Sequence, residues 1–252
     1  MAIQISRLVF AYGSRFAMRI EDLTFCDDRL HVVIGPNASG KTTLARIVSG
    51  LIGGYSGSVT VGGVDIRNLS TKARSKLIAY THRSMVVNLN VTLERFVGFG
   101  RYAHTQGVFG FLSKQDRLKV AEAMELVDLG DKSQALLSEL SDGELQRALL
   151  AKVIAQQAAY TILDEPTSNL DLKHRKEILH LLERLKRKST FIVILHDINE
   201  ALRIFESLIA LKDGAVEFVW DTPDAFSLQK LSQLFTINLK MCRNREGMFI
   251  TY

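Results

Sequence analysis

GPNASGKTT, at Gly35–Thr43, is the stretch of sequence that decides the fold. It fits the pattern G-x-x-x-x-G-K-[ST], and it lies between a short apolar strand, His31–Ile34, and an apolar helical stretch. Glycine lets the backbone curl so that successive N–H groups converge on phosphate oxygens, and the N-terminus of the following helix adds positive partial charge. The stretch therefore predicts a phosphate-binding loop in an α/β protein.

The side chains near this loop have separate predicted roles. Lys41 supplies a point charge for the β- and γ-phosphates of a nucleotide, and the Thr42 hydroxyl is a ligand for Mg²⁺. Tyr12, at the end of the first predicted strand, could stack on a purine. The full set of predicted nucleotide contacts here is Tyr12, Gly35, Pro36, Asn37, Ala38, Ser39, Gly40, Lys41, Thr42 and Thr43.

Polar side chains follow two further apolar strands. After Tyr160–Leu163, Asp164 can hold Mg²⁺, directly or through water, and Glu165 can polarise the water that attacks the γ-phosphate. Adjacent strand residues point to opposite sides, so we expect these carboxylates to have different roles. The alternative is a turn that merely closes the strand. After Phe191–Leu195, His196 could hydrogen-bond the γ-phosphate and orient Glu165.

The sequence LSDGE, at Leu140–Glu144, has the form of a capping box. Ser141, with Glu144 three residues later, predicts the start of a helix over Glu144–Gln157. A capped helix start that contains a glycine also leaves backbone N–H groups facing an anion. The structural and the anion-binding interpretations are therefore compatible.

The order of strands and helices predicts an α/β core with one helical insertion. Residues 2–10 alternate as a strand does, and Ser58–Val61 with Val64–Ile66 has the form of a hairpin. Helical periodicity extends from about residue 84 to 157, and it returns in His174–Arg187. On the predicted helix Asp116–Leu129, the residues expected on one side are Leu118, Ala121, Met124, Leu126 and Val127.

The amino-acid composition restricts the class of protein, although less specifically than the motifs do. The chain has 252 residues, of which 47% are hydrophobic and 23% charged, values that are ordinary for a globular protein. No apolar run approaches the ~18 residues needed to cross a bilayer. Cys26 and Cys242 have no metal-binding or redox spacing, so we expect a cytosolic protein with reduced thiols. The net charge of +5 permits the binding of anions. The sequence has no stretch in which basic and aromatic residues alternate, so no nucleic-acid partner is expected.

These motifs together resemble those of the ATP-binding cassette (ABC) ATPases. Gly35–Thr43 is similar to their Walker A motif, and Leu140–Asp171 resembles the stretch from their signature motif to Walker B and the D-loop, Ser168–Asp171. His196 resembles their switch histidine. The resemblance covers essentially the whole chain. It implies a P-loop (RecA-like) ATPase core with an N-terminal antiparallel β subdomain and a helical subdomain at approximately 84–157, all in one nucleotide-binding domain over residues 1–252.

Within the family, the chain most resembles ATPase subunits of importers for iron–siderophore complexes, haem and cobalamin. The stretches that carry this resemblance are Val91–His104, His196–Ala201 and Leu208–Gly214. The family resemblance implies ATP and Mg²⁺ as cofactors and two copies closing head-to-tail around two ATP molecules. Ser141 and Gly143 of one copy then cap the γ-phosphate held by the other, and Asp171 is a further nucleotide contact.

The resemblance also implies partners outside the dimer. An integral-membrane permease is expected to dock near Arg83–His104, and a periplasmic or extracellular substrate-binding protein acts indirectly through that permease. The ATPase is then cytoplasmic and peripheral on the inner face of the cell membrane. The alternative is a soluble, non-transport ABC ATPase, for example one that remodels an iron–sulfur scaffold. A DNA-tethering ATPase is disfavoured because the insert between the motifs is short.

Four positions depart from the family pattern. The family places a glutamine about 40 residues after the Walker A lysine, but Arg83 fills that position here, with His82 beside it. An arginine cannot ligate Mg²⁺. Asp142 and Glu144 replace the usual glycine and glutamine of the signature motif, and Ala38 replaces a frequent glycine of the loop. We expect an acidic residue near a triphosphate to point away from it.

Overall fold

Strands and α-helices alternate along most of the chain. The computed structural model describes residues 1–14, 16–82, 90–105, 111–168, 170–186, 189–244 and 247–251. In chain order the elements are β1 (Ala2–Tyr12), β2 (Phe16–Cys26), β3 (Leu30–Ile34), α1 (Lys41–Val48), β4 (Ser56–Val61), β5 (Val64–Asp65), α2 (Thr71–Leu77), β6 (Ile78–His82), α3 (Leu93–Gly98), α4 (Lys114–Leu126), α5 (Asp142–Gln156), β7 (Tyr160–Asp164), α6 (Leu172–Leu185), β8 (Thr190–Ile194), α7 (Ile198–Ile204), β9 (Ser207–Lys212), β10 (Ala215–Trp220), α8 (Leu228–Phe235), β11 (Lys240–Asn244) and β12 (Gly247–Thr251).

The chain divides into two units. The first contains Met1–Ile66 and Ile192–Tyr252, and the second contains Arg67–Phe191. The boundary at Phe191 falls within β8. The helices α3, α4 and α5 lie in the second unit, in agreement with the predicted helical periodicity. The limits of a helical subdomain at 84–157 stay a prediction.

An antiparallel sheet in the first unit has the strand order β2-β1-β4-β5. Its longest strand, β1, buries alternate residues such as Ile3 and Ile5, as expected for a sheet with one covered face. The alternation shifts at Arg7, which has φ 48°, and the β1–β4 register shifts between Ser6 and Val9. The strand predicted over 2–10 and the predicted hairpin are both confirmed.

The first unit also contains a buried parallel pair of strands, β3 and β9. Every residue of β3 is buried, which is typical of a strand that is covered on both faces. On the other side of β9 lies the antiparallel strand β10. Because β3 leads directly into the glycine-rich loop, this rigid pair positions the start of that loop.

In the second unit, β6 and β7 form a parallel pair in which His82 lies opposite Asp164. All five residues of β7 are buried. The helix α5 precedes β7 and has Leu149 and Val153 on its buried side. The helix predicted over His174–Arg187 is confirmed as α6, whose buried side carries Ile178, Leu181, Leu182 and Leu185.

The buried side of α4 agrees with the prediction only in part. Met124 and Val127 are buried as predicted, whereas Leu118 is 55% exposed. Asp116 is buried as well, and Arg101 Nε donates to its Oδ1 over 2.9 Å. The buried side is marked by a helical spacing of apolar residues that the prediction did not use: Val120, Ala123, Met124 and Val127.

Within the described ranges, we find no helix that combines the length and the apolar character needed to cross a membrane.

Candidate nucleotide site

Two positions in the loop between β3 and α1 have a backbone conformation that favours glycine. Gly35 has φ 154°, and a β-carbon there would lie 2.1 Å from the Leu211 carbonyl oxygen. Gly40 has φ 102°, and its β-carbon would lie 2.8 Å from Phe16 Cζ. Gly35 is therefore required by close approach to backbone as well as by conformation, whereas at Gly40 the conformation is the main restriction, because the nearby atoms belong to side chains.

Lys41 lies inside this loop rather than in solvent. Its side chain is 6% exposed, and Nζ donates to the carbonyl oxygens of Gly35 and Pro36 over 2.9 and 2.8 Å. Gly40 caps α1 without a side chain, and the first turn of the helix contains no acidic residue. A buried ammonium and a helix N-terminus thus lie at the same point, where an anion is favoured.

Two other residues of the loop are unusual: Ser39 has a buried hydroxyl, and Ala38 has a strained backbone. Ser39 is 2% exposed, and its Oγ has no hydrogen-bond partner among the described residues. A buried hydroxyl without a partner is costly, so a ligand that accepts its hydrogen bond would stabilise the loop. Ala38 has φ 61°, in the left-handed region where glycine is usual. The glycine-to-alanine departure is therefore tolerated only with backbone strain.

Tyr12 lies close to the same loop through one intermediate ring. Its ring centroid is 6.3 Å from that of Phe16, whose Cζ approaches Gly40. Phe10 packs edge-on against Tyr12 with centroids 4.8 Å apart. With 46% of its surface exposed, Tyr12 keeps a face available for stacking, as the prediction requires.

His196 follows β8 in the same unit as the loop. The Leu195 N–H donates to the Val33 carbonyl over 3.2 Å, so the ends of β8 and β3 lie side by side. His196 is the next residue, and it is exposed. Asp197 then caps α7 by accepting from the Asn199 and Glu200 N–H groups. The cap stops the strand and leaves His196 at the edge where the Gly35 loop begins.

In the second unit, β7 ends with the predicted carboxylates. Asp164 is 2% exposed, and its Oδ2 accepts a hydrogen bond from the Tyr80 hydroxyl over 3.1 Å. Glu165 has φ 58°, so the strand stops before it, and the Ser168 N–H and hydroxyl both donate to the Glu165 carbonyl. Glu165 therefore lies outside β7, and strand alternation does not determine the direction of its carboxylate. Strain of this kind is concentrated at functional sites.

The start of α5 is the predicted capping box. Ser141 Oγ accepts from the Glu144 N–H, and Glu144 Oε2 accepts from the Ser141 N–H over 2.9 Å. The other Glu144 oxygen pairs with Lys132. The Lys132 ammonium and the Ser141 N–H lower the pKa of Glu144 to about 2. Its charge is therefore compensated by a neighbouring cation.

Asp171 and Gly143 are brought together by a histidine. Asp171 caps α6 by accepting from the His174 N–H over 2.9 Å, and His174 Nδ1 lies 2.9 Å from the same carboxylate oxygen. The His174 ring also packs on Gly143, where a β-carbon would lie 3.3 Å from it. These contacts hold the pKa of Asp171 below its usual value, chiefly through the backbone N–H of His174.

A sequence profile described as "ABC transporter" matches residues 20–168 of the chain. The chain belongs to the ABC transporter family. Like the ATP-binding subunits of this family, it binds and hydrolyses ATP. The fold that the motifs predicted is the fold of solved ABC cassettes.

Individual relatives of this ABC ATPase match over most of its length. The petrobactin import ATP-binding protein YclP of Bacillus subtilis is 33% identical over 85% of this chain and 84% of its own. The iron(3+)-hydroxamate import ATP-binding protein FhuC of the same organism is 30% identical over 100% and 95%. A dimeric bacterial ABC transporter cassette of known structure is 26% identical over 89% and 100%, with a TM-score of 0.76.

Sequence reasoning did not name several residues of this ABC ATPase that contact predicted site residues, among them Tyr80 and His174, nor Lys132, which pairs with Glu144 of the capping box. The spacing of His174 from Asp171 matches that of a helix cap and could have revealed it. Tyr80 has no such local signal, because its contact depends on the register of β6 and β7. No local signal indicates Lys132. Arg83, predicted to replace the family's glutamine, lies outside the described residues, whereas His82 is described and lies opposite Asp164.

Proposed function

We propose that this ABC ATPase energises the uptake of a metal chelate, such as an iron–siderophore complex, haem or cobalamin, through a membrane permease. The observation that carries the proposal is the match to FhuC along the whole of this chain and 95% of the relative. YclP is also an import ATP-binding protein by name. Two relatives that import iron chelates, matched across most of both lengths, favour the same class of cargo here.

In the first unit, we assign the nucleotide to the Gly35–Thr43 loop. Lys41 neutralises the β- and γ-phosphates, because a phosphate oxygen is a stronger partner for the ammonium than the two carbonyls that it contacts now. The buried Ser39 hydroxyl is a further polar contact for the ligand. Tyr12 stacks on the adenine, and His196 hydrogen-bonds the γ-phosphate.

We assign Mg²⁺ to Thr42 and Asp164. A hydroxyl and a carboxylate are the hard oxygen donors that this cation prefers, so the residues present fit it. When bound, Mg²⁺ neutralises charge on the phosphates. Glu165 orients and polarises the attacking water, and its left-handed backbone directs it away from the axis of β7.

The ABC ATPases of importers work as dimers with permease partners. In the dimer we assign Ser141 and Gly143 of one copy to the γ-phosphate bound by the other copy, with Asp171 as a further contact. The N-terminus of α5 supports this assignment because it carries positive partial charge. The Lys132–Glu144 pair supports it as well, since it compensates the negative charge nearest to Ser141.

The permease docks near Arg83–His104, of which residues 90–104 are described. Tyr102, 52% exposed, provides an apolar contact there. The chain then lies on the inner face of the membrane, and a substrate-binding protein acts from the other side. A soluble scaffold-remodelling ATPase is not favoured, because YclP and FhuC, which match over most of their length, are import proteins by name.

Two experiments test the proposal. The substitution Glu165→Gln should abolish ATP turnover and accumulate an ATP-bound dimer in size-exclusion chromatography, whereas Glu177→Gln on the outer side of α6 should leave both unchanged. Turnover at the wild-type rate would refute the assignment of Glu165. Affinity purification from membranes should then retrieve a polytopic membrane protein, and retrieval of a soluble scaffold instead would refute the importer.

A further inference from the structure

A hydrogen bond between side chains of β6 and β7 involves the proposed metal ligand Asp164. The Tyr80 hydroxyl lies 3.1 Å from Asp164 Oδ2, and the two residues are separated by 84 positions in the sequence. The strands are parallel, with Tyr80 opposite Ile162 and His82 opposite Asp164. A phenol is long enough to reach forward from Tyr80 by two residues, about 6–7 Å along the strand, to the carboxylate.

The chemistry of this donor suits a carboxylate that must bind a cation. Asp164 is 2% exposed, so its orientation is decided by protein groups and not by bulk water. A neutral hydroxyl that donates to Oδ2 restrains the carboxylate without itself adding a positive charge beside it. A lysine or arginine at this position would restrain it equally well but would also compete with a divalent cation for the charge.

We propose that Tyr80 is a positioning residue for the divalent metal ion bound by Asp164. The inference rests on the proposed function, because it takes Asp164 as the metal ligand. Partners that hydrogen-bond a metal ligand fix its orientation, and their loss typically weakens metal affinity by about 10- to 100-fold. The same hydrogen bond joins the metal ligand to Tyr80 on β6. Tyr80 is three residues before Arg83, which occupies the position of the family's glutamine.

The test is a titration with Mn²⁺ in the presence of a non-hydrolysable ATP analogue. Electron paramagnetic resonance measures the free and the bound Mn²⁺ at each step. Tyr80→Phe removes one oxygen and keeps the ring, and we expect its Mn²⁺ dissociation constant to rise about tenfold. The affinity for the nucleotide in EDTA and the metal-free melting temperature should stay close to wild type. Tyr55→Phe is the matched control, because it removes the hydroxyl of another buried tyrosine to which no contact with metal or nucleotide is assigned.

A conservative replacement separates hydrogen bonding from packing. p-Aminophenylalanine at position 80, introduced by nonsense suppression, keeps a donor at the same point and should restore most of the Mn²⁺ affinity. Failure of this replacement to restore affinity, or a wild-type dissociation constant in Tyr80→Phe, would overturn the inference.

Asp164→Asn distinguishes this inference from the function on which it rests. If Asp164→Asn abolishes Mn²⁺ binding and Tyr80→Phe leaves it unchanged, only the role of Tyr80 is wrong. If Asp164→Asn also binds Mn²⁺ as the wild type does, the metal assignment itself is wrong, and the role of Tyr80 is overturned with it.

Discussion

The His174 ring packs on Gly143, so that a β-carbon on the glycine would lie 3.3 Å from the imidazole. His174 is held in this place by Asp171, at 2.9 Å from Nδ1. One side chain therefore joins the D-loop aspartate to the glycine of the signature motif. The contact explains in steric terms why this position of α5 is occupied by the smallest residue.

The substitution Gly143→Ala should reveal this contact. Alanine favours a helix over glycine by roughly 0.5–1 kcal/mol, but its methyl group must displace the His174 ring. We therefore expect little or no gain in thermal stability in the wild-type background and the full gain in a His174→Ala background. Thermal unfolding of the four proteins measures this difference, and equal effects of Gly143→Ala in both backgrounds would contradict the contact.

The buried ion pair of Arg101 predicts a large loss of stability. Arg101→Met leaves the Asp116 carboxylate buried without its cation and frees the Ala155 carbonyl. Breaking a buried pair from one side costs about 3–5 kcal/mol. Arg95→Met, at an exposed position of α3, should change the unfolding free energy by less than about 0.5 kcal/mol. Chemical denaturation measures the free energy of unfolding of both variants. Equal losses in the two variants would show that the Arg101–Asp116 pair has no special role in stability.

The strained Ala38 predicts an unusual result for a substitution to glycine. With φ 61°, Ala38 carries strain of roughly 1–2 kcal/mol that glycine would not, whereas glycine adds about 0.4–1 kcal/mol of unfolded-state entropy. We expect Ala38→Gly to be neutral or stabilising. Ala135→Gly, in a turn without positive φ, should lower the melting temperature. A fall of similar size in both variants would contradict the strain.

The buried His31 predicts a loss of stability in acid. Burial lowers the pKa of His31 below its ordinary value of 6.5 and outweighs the hydrogen bond with the Cys26 carbonyl at 2.8 Å, which raises it. Below that pH the unfolded chain binds a proton that the folded protein does not, so stability falls as the pH decreases toward the folded-state pKa. The groups that face His31 are Arg29, Glu206 and Asp221.

Melting temperatures measured between pH 8 and pH 5 should therefore decline less steeply in His31→Phe than in the wild type. The aromatic replacement keeps the edge-on packing against Phe25. His180→Gln, on the exposed side of α6, should leave the slope unchanged. A wild-type slope in His31→Phe would assign the acid sensitivity to other groups.

Much of the site could be predicted from local sequence because its chemistry is local. The Gly35–Thr43 loop, the capping box at Ser141 and the carboxylates after β7 each depend on residues within a few positions of one another. The buried pattern of β3 and β7 likewise follows from continuous apolar runs. Motif identity, strand positions and the family all follow from such short-range patterns.

Contacts between distant segments were decided only by the tertiary structure. Tyr80 reaches Asp164 because β6 and β7 pair in parallel, and Arg101 reaches Asp116 of α4 from 15 positions away in the sequence. Local sequence determined which side chains this protein brings to its site, because a loop, a cap or a strand depends on a few adjacent residues. The packing of strands and helices determined which of those side chains touch, since such contacts depend on strand register and on which elements pack together, which no short stretch of sequence encodes.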